Sequence, residues 1–229
     1  AKNPDRCLAI SSGFFLPIAR RNISASPGTA YRNLAMDGDL AFLRKSHDRF
    51  SVPGMLLLQN SKWHSKVFGS PLKTGLAPGW EAAVDDCIAT LIPLAKGNGG
   101  HIHGVQLGDE LVCAGFSFAN LTALAGRFHD GLHPHSVFIF TNECSLTPAA
   151  WPEIPAGLDI ISVDVYAAGA GEADTAKQDY EKFLPLLKPH QSLWVVPGLF
   201  GPNATAWGAA RHNATNMAET DASLVAKLS

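Results

Sequence analysis

Short apolar runs alternate with amphipathic stretches along most of the chain. The apolar runs predict β-strands at residues 8–16, 55–59, 101–107, 136–140, 158–163 and 192–196. Apolar residues at helical spacing predict α-helices at residues 38–50, 80–96, 118–129, 173–187 and 217–228. In the second of these helices, Val84, Ile88 and Leu91 recur at intervals of four and three residues, which predicts one buried helix face.

This alternation of strands and helices determines the expected fold class. Near-continuous apolar strands separated by helices are typical of a parallel sheet that is covered by helices. We therefore predict one domain over residues 1–229, an α/β fold of the (β/α)8 TIM-barrel type. Only six strands are visible where a closed barrel has eight, so we expect an incomplete barrel. An open parallel α/β sheet is the alternative, although no glycine-rich phosphate loop follows the first strand.

Composition narrows the range of partners. The 229 residues are 46% hydrophobic and 17% charged, which suits one globular domain with a sizeable core. The formal net charge of −2 gives no basic surface for nucleic acid. The apolar runs are too short to cross a membrane. We therefore expect neither a nucleic-acid nor a membrane partner, and the sequence leaves the oligomeric state open.

Polar residues follow three successive predicted strands. They are Asp109 and Glu110, Asn142 and Glu143, and Asp164 with Tyr166. One acidic residue at a strand end is usually a helix cap or a solvated loop charge, but (β/α) barrels build their active sites at the carboxyl ends of the strands. Counting alternate residues along each strand predicts that Glu110, Glu143, Asp164 and Tyr166 converge above the centre of the barrel.

Such a group of carboxyl groups suits glycoside hydrolysis. A partly desolvated carboxylic acid beside other carboxylates has a raised pKa and can serve as a general acid. Two carboxyl groups that flank a glycosidic bond supply the proton donor and the nucleophile or base. In this interpretation Glu110 is the proton donor, Glu143 or Asp164 is the nucleophile, base or charge stabiliser, and Tyr166 orients one of them.

Neighbouring polar and aromatic residues are candidates for sugar contacts. We predict that substrate is contacted by Gln106, Asp109, Asn142 and Trp194. Sugar rings stack on exposed tryptophan side chains, and the chain has five of these, Trp63, Trp80, Trp151, Trp194 and Trp207. Packing within the core is the alternative role for each of them.

Three segments resemble strands of known glycoside hydrolase barrels. Residues 104–110 resemble the fourth strand of retaining enzymes, which ends in the acid/base glutamate. Residues 162–166 and 194–201 are similar to strands six and seven of family-18 chitinase-like barrels. The resemblance implies a glycoside hydrolase with Glu110 as the acid/base. Those chitinases carry acidic residues two and four positions before the glutamate, where this chain has Gly108 and Gln106.

Two functions follow from these observations. The first is a secreted glycoside hydrolase-like protein that cleaves a poly- or oligosaccharide. The second is a non-catalytic carbohydrate-binding or structural glycoprotein on the same barrel, which is favoured by Gln106 and Gly108 and by the small number of strands.

Sequons and cysteines indicate the compartment. Four asparagines lie in N-x-Ser/Thr sequons, Asn22, Asn120, Asn203 and Asn213, which favours glycosylation in a secretory pathway. Asn120 is the least certain glycosylation site of the four because it could instead cap a helix. Cys7, Cys87, Cys113 and Cys144 are widely spaced and allow two disulfides or buried free thiols. We expect Cys113 and Cys144 to lie near each other, since each follows a predicted strand on the same face.

Other chemistries have weaker patterns. His101 with His103, and His133 with His135, could each hold a metal ion, but the spacing matches no known site. No Gly-x-Ser-x-Gly motif of a serine hydrolase is present. We therefore predict no metal centre and no cofactor.

Overall fold

The computed structural model describes residues 7–10, 34–69, 75–144, 151–165 and 178–197. The strands are β1 (Cys7–Ile10), β2 (Ala35–Asp37), β3 (Gly54–Leu57), β4 (Ile102–Asp109), β5 (Phe138–Cys144), β6 (Ile160–Val165) and β7 (Ser192–Pro197). The helices are α1 (Leu40–Phe50), α2 (His64–Val67), α3 (Trp80–Leu91) and α4 (Phe118–Leu132). Shorter 3₁₀ turns are Leu58–Asn60, Ile92–Leu94, Lys96–Asn98, His133–His135 and Leu184–Leu186.

The strands form one seven-stranded sheet in the order β1-β7-β6-β5-β4-β3-β2. Every pair in it is parallel. The order is sequential from β2 to β7, and β1 then pairs with β7, as happens when a sheet curls into a barrel. A doubly wound open sheet instead has its first strand in the interior of the sheet. The described residues contain no pairing between β1 and β2, so the fold is an incomplete (β/α) barrel, as the sequence predicts.

The observed elements differ from the predictions at several places, of which three matter here. The strand β2, Ala35–Asp37, was not expected because three residues are too few to show a pattern. The helix α3 ends at Leu91, well before residue 96, because the ring of Pro93 clashes with a helical carbonyl one turn earlier. The strand β5 continues to Cys144, so Asn142 and Glu143 lie within the strand and not after it.

The predicted C-terminal helices are described only in part. Residues 178–181 are helical, and a 3₁₀ turn follows at Leu184–Leu186. Residues 173–177 and the predicted helix at 217–228 lie outside the described residues. Across the described part of the chain, no helix has the length and apolar character needed to cross a membrane.

The helix α4 begins with a side-chain cap. The hydroxyl of Ser117 accepts a hydrogen bond from the backbone N–H of Asn120 at 3.1 Å, which satisfies one of the unpaired donors at the start of the helix. Ser117 is therefore the N-cap residue, and Asn120 lies within the first helical turn. The alternative role of Asn120 as the cap is wrong.

Two apolar clusters lie on opposite faces of the sheet. On the outer face, strand residues such as Val105, Ile139 and Val163 pack with residues of α3 and α4 in the main core. On the inner face, which lines the barrel, a smaller cluster contains Met55, Phe138, Phe140, Ile160 and Trp194. Side chains alternate between these two faces along each strand. The face of each polar residue farther along a strand therefore follows from its position relative to these apolar residues.

Two glycines at one contact allow the packing of α4 to be tested. A Cβ atom on Gly157 would lie 2.6 Å from backbone atoms of Ala125 and Gly126, and helix backbone cannot move aside. We expect Gly157→Ala to lower the free energy of unfolding by about 1–3 kcal/mol. A Cβ atom on Gly126 meets nothing within 4 Å, so Gly126→Ala should raise that free energy by up to about 1 kcal/mol. Urea denaturation of both variants measures the difference, and equal effects would contradict this packing.

Candidate active site

The strand β4 carries one extra residue near its carboxyl end. Gln106 pairs with Phe140, but Asp109 pairs with Asn142, so three steps in β4 match two steps in β5. Such a bulge reverses the alternation of the residues beyond it. Asp109 therefore shares the inner face with Asn142, whereas simple counting places it on the outer face. The side chain of Gln59 holds the bulge, because its Oε1 accepts a hydrogen bond from the Asp109 N–H at 2.9 Å.

Three side chains then form a hydrogen-bonded row across neighbouring strands. The Asn142 amide donates to Asp109 Oδ1 at 2.8 Å, and the Ser162 hydroxyl donates to Asn142 Oδ1. We call Asp109, Asn142 and Ser162 the polar row. It crosses β4, β5 and β6 on the carboxyl side of the inner apolar residues, and it reaches the carboxyl end of the strand at Asp109 in β4. Gln106, also almost fully buried, donates to the Gly108 carbonyl at 3.2 Å beside it.

Glu110 follows the bulge in an unusual backbone conformation. Its φ of 51° lies in the left-handed region, which few residues other than glycine occupy. The Glu110 N–H donates to the Asn142 carbonyl at 2.7 Å, and the Glu110 carbonyl accepts from the Ala114 N–H at 2.9 Å. Glu110 is half-buried. The backbone on both sides of this residue is therefore fixed, at the end of the strand where barrel enzymes place catalytic groups.

Glu143 lies on the other face of the sheet. It pairs in register with Val163, and Asp164 pairs with Cys144, so the register puts the two acidic positions on opposite faces of the sheet, where the sequence predicts one shared face. The reason is that Thr141 and Glu143 alternate in phase with Ile139, which packs in the outer core. Glu143 is completely buried.

The buried carboxyl group of Glu143 has two hydrogen-bond donors. The Val112 N–H donates to Oε2 at 3.2 Å, and the Thr141 hydroxyl donates to Oε1 at 3.3 Å. The pKa of Glu143 is nevertheless raised to about 8, mainly by burial and to a smaller extent by the nearby charges of Asp109 and Glu110. At neutral pH the group is therefore mainly a neutral carboxylic acid.

A disulfide fixes the loop that covers Glu143. Cys113 and Cys144 are bonded to each other, with 6.4 Å between their Cα atoms, which confirms the prediction that they lie close together. The bond ties residues 111–115 to the end of β5, next to the Val112 hydrogen bond. A disulfide of this kind is typical of oxidising compartments. Cys87 is a buried free cysteine, and burial raises the pKa of its thiol.

Other predicted residues fall in different places. Trp194 packs its ring against Phe138 and Phe140, at centroid distances of 5.8 and 5.4 Å, and belongs to the inner apolar cluster. Trp63 and Trp151 are buried in the outer core, so both are packing residues and not sugar-stacking platforms. Outside the described residues lie Tyr166, Asn22, Asn203, Asn213 and Trp207.

Two members of the site were not expected from the sequence. Gln59 lies in the 3₁₀ turn after β3, and Ser162 lies inside β6. Gln59 gives no local signal because its partner is fifty residues away. Ser162 does interrupt an otherwise apolar strand, and a polar residue within a buried strand indicates that a hydrogen-bond partner is present.

Comparison with known proteins gives distant structural similarities only. No protein-family profile matches the sequence, and no curated protein matches it. The chain is similar to a glycoside hydrolase family 17 β-1,3-glucanosyltransferase from Rhizomucor miehei, also solved as an active-site mutant with laminaritriose. Both structures give 14% identity over 72% of this chain and 59% of theirs, with a TM-score of 0.49.

A second similarity is to the family GH53 catalytic domain of Ignisphaera aggregans. The identity is 14%, the coverage 68% of this chain and 48% of that domain, and the TM-score 0.42. The chain thus spans less than two thirds of each of these proteins. Similarities of this size establish no shared activity, and the resemblance to family-18 chitinases stays a prediction.

The raised pKa of Glu143 predicts a pH-dependent stability. Between about pH 4.5 and pH 8, the folded chain keeps a proton on Glu143 that the unfolded chain has released. We therefore expect this group to lower the free energy of unfolding as the pH rises through that range. Glu143→Gln stays neutral and should flatten the slope in denaturation curves measured from pH 5 to 9. Glu81→Gln, an exposed change on α3, should keep the wild-type slope. An unchanged slope in Glu143→Gln would show that another group causes it.

Proposed function

We propose that this protein is a glycoside hydrolase-like barrel that cleaves a poly- or oligosaccharide, with Glu110 as the proton donor to the leaving oxygen. The observation that carries the proposal is the left-handed conformation of Glu110 at the carboxyl end of β4. Glu110 is half-buried as a residue and directly follows Asp109, a member of the polar row. Glycosidases place the carboxyl group of their general acid beside the bond that breaks, and barrel enzymes place such groups at the carboxyl ends of the strands.

The conformation of Glu110 is unfavourable for folding alone. A residue with a Cβ atom in the left-handed region costs roughly 1–2 kcal/mol, which a glycine would avoid. Strained residues of this type concentrate at functional sites, where the side chain is needed for chemistry. Ser136 takes a similar conformation in an exposed turn, so the strain at Glu110 supports a use of its carboxyl group only together with its place at the carboxyl end of β4.

The second carboxyl group of the reaction is better assigned to Asp164 than to Glu143. A nucleophile must reach the substrate as an anion, but Glu143 is completely buried and its pKa is raised to about 8. Asp164 occupies a position in β6 two residues beyond Ser162, a member of the polar row. We assign Glu143 a positioning role, since its hydrogen bond to Val112 fixes the loop directly after Glu110.

The proposed substrate contacts are the polar side chains beside Glu110. Asn142 donates to Asp109, and the Gln106 amide donates to the Gly108 carbonyl in the same strand, so a sugar hydroxyl could replace either of these hydrogen bonds. No metal ion or cofactor takes part in this proposed reaction.

We also propose that the protein is secreted or resides in the lumen of the secretory pathway. The Cys113–Cys144 disulfide supports an oxidising compartment. The four sequons support the same route, because the sugar transferase that uses them acts on secretory proteins.

A non-catalytic carbohydrate-binding protein is the second candidate. Gln106 and Gly108 stand where the chitinase-like enzymes have acidic residues, and the Gln106 amide is bonded to the Gly108 carbonyl. This arrangement provides hydrogen bonds for a sugar without acids at the two positions that precede the glutamate in those enzymes.

The substitution Glu110→Gln tests the proton donor. It keeps the size of the side chain but cannot release a proton, so turnover of a cleaved glycan should fall by about 10²–10⁴-fold while binding persists. Reducing ends and binding are measured separately on a panel of α- and β-linked polysaccharides. For an aryl glycoside whose leaving group needs no proton, the first step of cleavage should keep its wild-type rate in this variant.

The control Glu81→Gln makes the same chemical change on the surface of α3 and should retain full turnover. If Glu110→Gln loses less than about tenfold, Glu110 is not the proton donor. If the wild-type protein binds a glycan of the panel without cleaving it, the carbohydrate-binding candidate replaces the enzyme.

The cost of the Glu110 conformation can be measured by comparing two variants that both lack the carboxyl group. We expect Glu110→Gly to be more stable than Glu110→Ala by roughly 1 kcal/mol, because only glycine avoids the left-handed penalty. Ser136 has a similar φ of 59° and is exposed. Ser136→Gly and Ser136→Ala should therefore show the same difference without loss of turnover. Chemical denaturation gives the free energies, and equal stability of the two Glu110 variants would remove the argument from strain.

A further inference from the structure

We propose that His129, His133 and Asp159 bind a divalent transition-metal ion of the zinc class at the amino end of the barrel. The candidate ligand atoms of the three residues lie within 4.8 Å of one another. The spacing in the sequence instead pairs His133 with His135 and predicts no metal centre, so this proposal departs from that expectation. It does not depend on the proposed glycosidase activity.

The helix places both histidines on one face. His129 lies in the last turn of α4, and His133 follows four residues later, with its N–H donating to the His129 carbonyl. Residues four apart on a helix are neighbours on its surface. The two imidazole rings stack with centroids 4.5 Å apart and planes 18° from parallel, so their nitrogens are presented side by side.

The carboxylate of Asp159 is already oriented toward this pair. Its Oδ2 accepts a hydrogen bond from the Ile139 N–H at 2.7 Å, while Oδ1 lies 4.0 Å from His129 Nε2. Its backbone is held on both sides, because its N–H donates to the Ile139 carbonyl and its carbonyl accepts from the Ser192 N–H, each at 2.9 Å. Metal-binding carboxylates are commonly fixed by such a second hydrogen bond.

A second carboxylate faces the other nitrogen of His129. Asp130 Oδ1 lies 3.8 Å from His129 Nδ1. A rotation that brings the two into hydrogen-bond contact would favour the tautomer with the proton on Nδ1, which leaves Nε2 to bind the metal. The half-buried His129 side chain thus has the Asp130 carboxylate on its Nδ1 side and the Asp159 carboxylate on its Nε2 side.

The donor set matches zinc more closely than the hard cations. Two imidazole nitrogens and one carboxylate oxygen are the ligands that zinc binds at about 2.0–2.2 Å, whereas Mg²⁺ and Ca²⁺ prefer oxygen ligands alone. At 4.0 Å, His129 and Asp159 do not hydrogen-bond. Small side-chain rotations would bring the three donors around one ion, with water at the fourth position.

The location of the site indicates a structural role. Asp159 directly precedes β6, so the site lies at the end of the sheet opposite the polar row. Side chains at this end of a barrel serve stability and not catalysis. A bound ion would connect the end of α4 to the start of β6, beside β5.

Zinc titration of the full chain tests this proposal. After removal of metal with a chelator, calorimetric titration with ZnCl₂ should give one ion per chain, and zinc should raise the melting temperature. His129→Gln and His133→Gln should each weaken zinc binding by at least about tenfold. His135→Gln removes a histidine from the adjacent turn, which is not part of the cluster, and should bind zinc like the wild type.

Three results would overturn the site. One is the absence of stoichiometric zinc binding by the wild type, which would leave only an ion pair between His129 and Asp159. Another is unchanged affinity in both His129→Gln and His133→Gln. The last is an equal loss of zinc affinity in His135→Gln, which would indicate non-specific binding by surface histidines. Circular dichroism of each variant confirms that it is folded before zinc is added.

Discussion

The candidate active site depends on the single extra residue in β4. Because Gln106 pairs with Phe140 and Asp109 with Asn142, the strand reverses its alternation just before it ends. Asp109 therefore reaches the Asn142 amide on the inner face, and Glu110 begins the next turn with its N–H on the Asn142 carbonyl. Without the bulge Asp109 would face the helices, and the polar row would lose the member that connects it to β4.

Burial of Glu143 links the site to the outer core. A carboxyl group among apolar residues is tolerated when it is neutral and hydrogen-bonded, and Glu143 has donors from Val112 and Thr141. The Cys113–Cys144 disulfide keeps the Val112 loop over it. The same loop begins at Glu110, so the segment that covers the buried acid also holds the backbone of Glu110.

The inner face of the barrel separates two chemically different ends. Phe138, Phe140 and Trp194 pack together in its apolar part. The polar row lies beyond them at the carboxyl ends of the strands, and the cluster of His129, His133 and Asp159 lies at the amino end of β6. In barrels the first end is free to vary for function while the second contributes to stability. The proposed hydrolysis and the proposed metal site fit this division.

The sequence alone determined the parallel α/β architecture, the presence of six of the seven strands, the acidic strand ends and the proximity of Cys113 to Cys144. These features follow from local patterns, since apolar runs, helical spacing and chain order are readable residue by residue. Only the tertiary structure decided the faces of Asp109 and Glu143 and the grouping of His133 with Asp159. The physical reason is that a strand buried on both faces has no polar side to mark its phase, and one inserted residue reverses every position after it.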